Sequence, residues 1–300
     1  MESNCIYATA VKKKSCVLIL FLGSLFLTSC TNYGQLTYTC KLPKELKENS
    51  GISVSQQENL FWFIADSGNE DHLYGVNTEG TLLKDFNIKN ADNQDWEDLA
   101  RDQEGNIYIG DIGNNRNKRK DLVIYKVPNP DLYTGKNLEA EEIKFNYPEQ
   151  KEFPPDKKDR LFDAEAFFYS QGFLYIFTKN RTQPFTGETL LYKIPATPGN
   201  HKAKLVGKKV LCTDRKSCSV TSADISPDGK KVVLLAHDRI WVLTHFTNDR
   251  FLEGTIDEIH LGHYSQKESL CFTNDNTLYI SDEQFGVQGR NVYTFYLSKY

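Results

Sequence analysis

A hairpin-like unit recurs five times along this 300-residue chain, and the recurrence leaves few architectures open. Its clearest copy is QDWEDLARDQEGNIYIGDIGNN, from Gln94 to Asn115. Glu97-Asp98-Leu99-Ala100 begins a strand, Gln103 to Asn106 supply a turn, and Ile107 to Gly110 return to Asp111. Antiparallel partners sit symmetrically about a turn, so Glu97 and Asp111 are expected at the same end. The same order of polar opener, apolar strand, turn, second apolar strand and polar tail appears from Glu48 to Asn69, Phe162 to Arg181, Thr221 to Asp238 and Lys267 to Glu283.

Further strands follow each hairpin, except that the fifth has only Asn291 to Leu297 before the chain stops. A spare strand, Gln35 to Leu42, stands before the first unit. A missing last strand and a spare first one are the two halves of one sheet. The expectation is therefore an all-β, five-bladed β-propeller closed by its N-terminal strand, which removes the exposed sheet edge. The alternative is a six-bladed propeller with a degenerate blade in the Pro- and Lys-containing stretch Pro128 to Asp159. With 16 Tyr and 18 Phe against one Met, the composition favours strands.

Residues 1–29 are expected to be an address, with 30–34 a linker and 35–300 the propeller domain. Lys12 to Lys14 are basic, Val17 to Phe26 are apolar over too short a run to span a bilayer, and Leu27-Thr28-Ser29-Cys30 follows. This order resembles a bacterial lipoprotein signal. That resemblance implies lipidation of Cys30 and a protein anchored to a membrane of the bacterial cell envelope. Losing that segment removes one acid and three lysines and takes the net charge from −4 to −6, with no electrostatic footprint for nucleic acid. The basic run Asn114 to Lys120 is the local exception. Cys212 and Cys218 are close enough in sequence to form a loop disulfide, Cys40 and Cys271 read as buried thiols, and no Cys–His spacing matches a zinc site.

The first strand of each propeller blade lines the central channel, so the openers Ser50, Glu97, Glu165, Ser222 and Glu268 are expected to converge. Three carboxylates on one axis repel, which raises their pKa values or calls for a cation. An all-oxygen ring of flexible carboxylates suits Ca²⁺. The tails of the second strands reach the same face and bring Asp66, Asp111, Asn114, Lys179, Arg181, His237 and Asp282 to a rim, with Arg116 in the basic run nearby. Arg116, Lys179 and Arg181 are candidates to clamp a phosphate or carboxylate, with Asp66, Asn114 and Asp282 as further ligand contacts. Asp111 and His237 are the candidate proton acceptors.

The order Ser, Glu, Glu, Ser, Glu in ENSGISV, DWEDLAR, DAEAFFY, TSADISP and KESLCFT resembles the calcium-activated nucleotidases (apyrases). The resemblance implies a five-bladed propeller with a central Ca²⁺ held by those openers. GDIGNNRNKRK stands where that family has a nucleotide-contacting segment, and DWEDLA and GDIGNN are similar to a group of uncharacterised bacterial secreted propellers. Three functions follow: a calcium-containing propeller that binds an unidentified phosphorylated or anionic ligand or partner on its funnel face, a Ca²⁺-dependent phosphohydrolase, and a structural envelope subunit. No G-x-S-x-G elbow, P-loop or H-E-x-x-H is present.

Overall fold

The computed structural model describes residues 32–299, so the expected signal segment 1–29 and Cys30 lie outside the described residues. Packing begins at Tyr33, whose ring lies against Tyr38 and Tyr293. From there the strands assort into five sheets.

Blade 1 runs outward through Asn49–Val54, Leu60–Ala65, His72–Asn77 and Leu82–Lys89. Blade 2 is Trp96–Arg101, Ile107–Asp111, Val123–Val127 and Glu141–Asn146. Blade 3 is Asp163–Ser170, Phe173–Lys179, Glu188–Pro195 and Lys204–Val210. Blade 4 is Ser222–Ile225, Val232–Leu235, Arg239–Thr244 and Thr255–His260. Blade 5 takes Lys267–Asn274, Thr277–Asp282 and Asn291–Tyr296 from the end of the chain and Thr37–Lys41 from its beginning. Thr37 pairs with Thr294 and Lys41 with Asn291, so the N-terminal strand closes the ring as its position in the sequence implies.

The six-bladed alternative fails at Pro128 to Asp159. This stretch contributes Asn137–Glu139, added in parallel to the edge of blade 1, and Glu141–Asn146, the fourth strand of blade 2, whose outer edge Gly199–Lys202 extends in parallel. Neither leaves a free sheet. The inner strands touch in a closed cycle, blade 1 to 2, 2 to 3, 3 to 4, 4 to 5 and 5 to 1.

Every sheet is covered on both faces, which is why the second strands read as unbroken apolar runs such as LFWFIA. The core is five clusters, one between each pair of blades. Trp62, Trp96 and Tyr125 join blades 1 and 2, and Tyr108, Phe167 and Tyr192 join 2 and 3. Phe168, Trp241 and Phe251 join 3 and 4. Leu235, Leu270 and Tyr293 join 4 and 5, and Phe61, Phe63 and Val292 join 5 and 1. Trp62 is fully buried, and truncating it to Ala would cost about 3–5 kcal/mol. A rim loop of blade 4 is tied by a disulfide between Cys212 and Cys218, while Cys40 and Cys271 are buried thiols.

Candidate functional site

The channel openers are aimed by β-bulges. In blade 1 the pairing with the second strand steps from Asn49 to Gly51, in blade 2 from Trp96 to Asp98, in blade 3 from Ala164 to Ala166, and in blade 5 from Lys267 to Ser269. The skipped residues are Ser50, Glu97, Glu165 and Glu268. A bulge leaves one residue unpaired and re-aims its side chain, here into the channel. Together with Asp66, Asn115, Lys179, Gln266 and Glu283 they line one funnel of about 140 Å³.

Blade 4 departs from the expectation. Thr221 N–H and the first ladder pair of Ser222 both meet Leu235, so Thr221 takes the bulge position. Thr221 Oγ1 donates to the Lys267 carbonyl at 2.8 Å, as Ser50 Oγ donates to the Trp96 carbonyl at 2.7 Å. Ser222 lies one step further along the channel. Its Oγ donates to the Asp98 carboxylate at 3.0 Å and accepts the Leu270 N–H at 3.0 Å, which occupies it structurally.

Two rim cations face inward but are already engaged. Lys179 Nζ donates to Glu165 Oε2, and Arg181 donates from Nε to Asp163 at 2.5 Å and from Nη2 to Glu165 Oε1 at 2.7 Å. Burial pulls the pKa of each cation down, but Glu165 with Glu268 for Lys179, and Asp163 with Glu165 for Arg181, more than offset it and keep both charged. Glu165 is therefore the neutralised member of the ring.

Several expected rim residues serve the fold instead. Asp111 takes a two-pronged fork from Arg119, 2.8 Å to Oδ1 and 3.0 Å to Oδ2, and also accepts the Asp95 N–H. Asp111 is fully buried and does not line the funnel. Asn114 binds Asp163 and Phe162 of blade 3 and caps the Lys118 and Arg119 N–H groups. Asp282 accepts the Asn291 N–H and the Tyr293 hydroxyl. Arg116 is exposed and lines a shallow groove with Asn115 and Arg119 outside the funnel. His237 Nδ1 is 3.8 Å from Glu268 Oε1, has no hydrogen-bond partner, and does not line the funnel. Burial, aided by Lys179 and Lys267, pushes its pKa down to about 4, so the ring is neutral.

What remains is a concentration of acid outside any ion pair on the blade 1 and blade 2 side, in which Asp66 accepts the Ser67 N–H at 2.5 Å. Glu97 is only 8% exposed, lines the funnel, and accepts no hydrogen bond from any described residue. Carboxylate oxygens of Glu97, Asp66 and Asp95 all lie within 4.8 Å of one another. Burial, then Glu165, Asp66 and Asp95, drive the Glu97 pKa well up; burial first also raises Asp66 and Asp95, each to about 6, and Glu283 to about 8. Gly113 packs directly on this cluster. A Cβ there would fall 2.3 Å from Glu97 Oε1 and 2.4 Å from Asp95 Oδ2, so any side chain at this position makes both carboxylates shift. Asp95 escapes the opener pattern because it precedes the strand. Its spacing of two from Glu97 is the signal that places both carboxylates on one side.

No protein-family model matches the chain, and no curated protein matches it. Among solved structures it is similar to virginiamycin B lyase from Staphylococcus aureus, with a TM-score of 0.41 and 10% identity over 83% of this chain and 66% of that one, just under two thirds. A gluconolactonase from Xanthomonas campestris has a TM-score of 0.45 and 10% identity over 83% and 73% of the two chains. The PQQ-bound aldose sugar dehydrogenase from Streptomyces coelicolor has 0.49 and 8% over 87% and 98%. The likeness is one of fold.

Proposed function

We propose that the funnel holds a divalent cation, Ca²⁺ by its donor chemistry, and through it binds an anionic ligand or partner. The observation that supports this reading is the buried, unpaired Glu97 carboxylate with Asp66 and Asp95 beside it. Oxygens within 4.8 Å of one another fit an ion that sits 2.3–2.6 Å from each, as Ca²⁺ does. Glu97, Asp66 and Asp95 would hold the ion, with Ser50 Oγ adjoining the same funnel. The ion would offset the buried negative charge and present a positive site to an oxyanion. Of the five openers this set keeps Glu97, with Ser50 adjoining; Glu165 is satisfied by Lys179 and Arg181 and Ser222 by Asp98 and Leu270, and Glu268 lines the funnel outside the cluster, 3.8 Å from His237 Nδ1.

Binding is favoured over phosphoester hydrolysis. Asp111 is buried, paired with Arg119 and absent from the funnel wall, and the two inward cations are committed to Asp163 and Glu165. The test is calorimetric titration of the chelated protein with Ca²⁺, followed by a phosphate-ester panel. One ion per chain, lost in Glu97→Gln and Asp95→Asn but retained in Ser222→Ala, supports the site. No binding at millimolar Ca²⁺, the weak end for extracellular modules, removes it. Phosphate release that disappears in Glu97→Gln would replace the binding reading by the hydrolase one.

We also propose export and anchoring at Cys30, on the order of Lys12 to Lys14, Val17 to Phe26 and Leu27 to Cys30. A disulfide between Cys212 and Cys218 is compatible with an oxidising compartment. Cys30→Ser should move the protein out of the membrane fraction; unchanged fractionation would defeat the anchor.

A further inference from the structure

The funnel end of blade 5 carries an apolar tip that no other part of the described fold covers. Between this blade's second and third strands, Phe285 and Gln288 pair across Gly286 and Val287. Gly286 has φ +62°, as a two-residue turn with glycine at its first central position requires. Phe285 is 76% exposed and Val287 93%. Single apolar residues scattered on a surface need no explanation, but these two share one turn. The turn is held at its base, where Gln284 N–H donates to the Lys47 carbonyl at 2.7 Å and Leu42 N–H to the Arg290 carbonyl at 2.6 Å.

Much of the tip's backbone is satisfied from within. Phe285 N–H donates to the Gln288 carbonyl at 3.0 Å, Gln288 N–H returns to the Phe285 carbonyl at 3.1 Å, and the Gly286 carbonyl accepts the Gln284 side-chain amide at 2.8 Å. On an ordinary surface loop water would serve these groups; in hydrocarbon each unpaired one is costly. Around the base, exposed Lys41, Lys44 and Lys47 are interleaved with exposed Glu45 and Glu48, and Glu283 lines the funnel. Attraction to any surface therefore comes from the apolar side chains rather than from charge.

The same blade receives the start of the chain. Thr37–Lys41 is its outermost strand and pairs Lys41 with Asn291, the residue that follows the tip's base. Tyr33 packs on Tyr293 and His263, with ring centroids 5.1 and 5.4 Å apart. Tyr293 stands about 7 Å along its strand from Asn291. Cys30 lies three residues before Tyr33, so fully extended chain spans at most about 11 Å between them. A lipid on Cys30 therefore keeps the bilayer surface close to this edge of blade 5. Tyr264, 55% exposed beside His263, is an amphipathic ring of the kind that favours the headgroup level.

We propose that blade 5 docks on the phospholipid bilayer, with Phe285 and Val287 seated among the lipid chains at its surface. This docking rests on the anchor at Cys30 for its tether, while insertion belongs to the tip itself.

The test uses the full chain, expressed in a bacterium that processes lipoproteins and reconstituted in phosphatidylcholine vesicles, with Val287→Trp and Leu132→Trp as separate variants. Leu132 is 78% exposed and lies at the opposite end of the propeller, where its neighbour Asp131 binds the blade 1 turn at Ser55 and Gln56. Trp62, Trp96 and Trp241 are buried, so the parent chain supplies the background. Bromine on the acyl chains quenches a tryptophan that reaches them. Val287→Trp is expected to add a blue-shifted component that brominated lipid quenches, and Leu132→Trp one that it does not. Adding Phe285→Ser to Val287→Trp should weaken insertion about tenfold or more, the factor that burial of one aromatic side chain is worth, with Tm unchanged because both positions are exposed. The mass of Cys30 reports the anchor separately. An unmodified Cys30 defeats the tether, and quenching on the same vesicles still decides the tip. Val287→Trp left unquenched, with or without lipid on Cys30, overturns the docking. So does equal quenching in Leu132→Trp, quenching that Phe285→Ser leaves unchanged, or a dimer in solution that Phe285→Ser separates, which would assign the tip to a second copy of the chain.

Discussion

Removing divalent cations should make this propeller lose stability as pH rises from 5 to 8, which is the reverse of the usual behaviour of native carboxylates. Asp66 and Asp95 have their pKa pushed up from 3.8 to about 6, and Glu283 from 4.5 to about 8, in each case first by burial. A carboxyl group with a raised folded-state pKa binds more protons folded than unfolded between the two values, so its stabilising share is full below the unfolded pKa and is lost as pH climbs through the folded one. A shift of about two units in Asp66 or Asp95 corresponds to about 3 kcal/mol for each taken alone, of which about half is lost between pH 5 and 8, because the loss already begins near the unfolded value of 3.8. The groups share one field and keep some contact with water, so a joint loss of about 3 kcal/mol is the working figure. At roughly 2 °C per kcal/mol for a domain of this size, the chelated protein should melt about 6 °C lower at pH 8 than at pH 5. Saturation with Ca²⁺ at a hundred times its dissociation constant should return about 2.7 kcal/mol at pH 8 and much less at pH 5, where protons already occupy the site. Calorimetric scans of the chelated and Ca²⁺-loaded protein at both pH values measure this directly. A chelated Tm that is flat or rises from pH 5 to 8, or a Ca²⁺ increment equally large in Glu97→Gln, would refute the reasoning.

Three further outcomes follow from single contacts. Gly113→Ala forces the Glu97 and Asp95 carboxylates from a 2.3–2.4 Å approach and should weaken Ca²⁺ affinity about tenfold or more, while costing the chelated protein only about 1–3 kcal/mol in denaturant unfolding. Arg119→Ala strands the buried Asp111 and should cost about 3–5 kcal/mol by the same measurement; Asp111→Asn restoring stability in the double variant would identify the unpaired charge as the cause. Ser222→Ala removes a donor to Asp98 and the acceptor for the Leu270 N–H, so about 1–3 kcal/mol of stability should go without change in Ca²⁺ affinity, and a lost affinity would return Ser222 to the ligand set.

In blade 4 the bulge falls at Thr221, one residue before the Ser222 that the repeat pattern points to, for a local reason. Glu97, Glu165 and Glu268 announce their bulges by being acidic in an otherwise apolar strand, whereas TSAD offers two hydroxyls in a row. Thr221 or Ser222 fits the pattern equally well until the ladder with Leu235 sets the register. Asp111 failed as a free base for a different reason. Its partner Arg119 is eight residues on, inside a run that reads as a solvated basic loop, and only the folded loop turns that guanidinium back onto the carboxylate.

The sequence by itself determined the all-β class, five blades and closure by the N-terminal strand, because apolar runs, turns and a spare strand are local and periodic signals that survive without coordinates. Tertiary structure alone decided which carboxylates stay unpaired. Glu97 and Glu165 occupy the same repeat position, yet Glu165 meets Lys179 and Arg181 from its own blade while Glu97 meets Asp66 from the neighbouring one. The charge on a buried group is governed by what stands within a few ångströms of it, and that neighbourhood is assembled from separate blades.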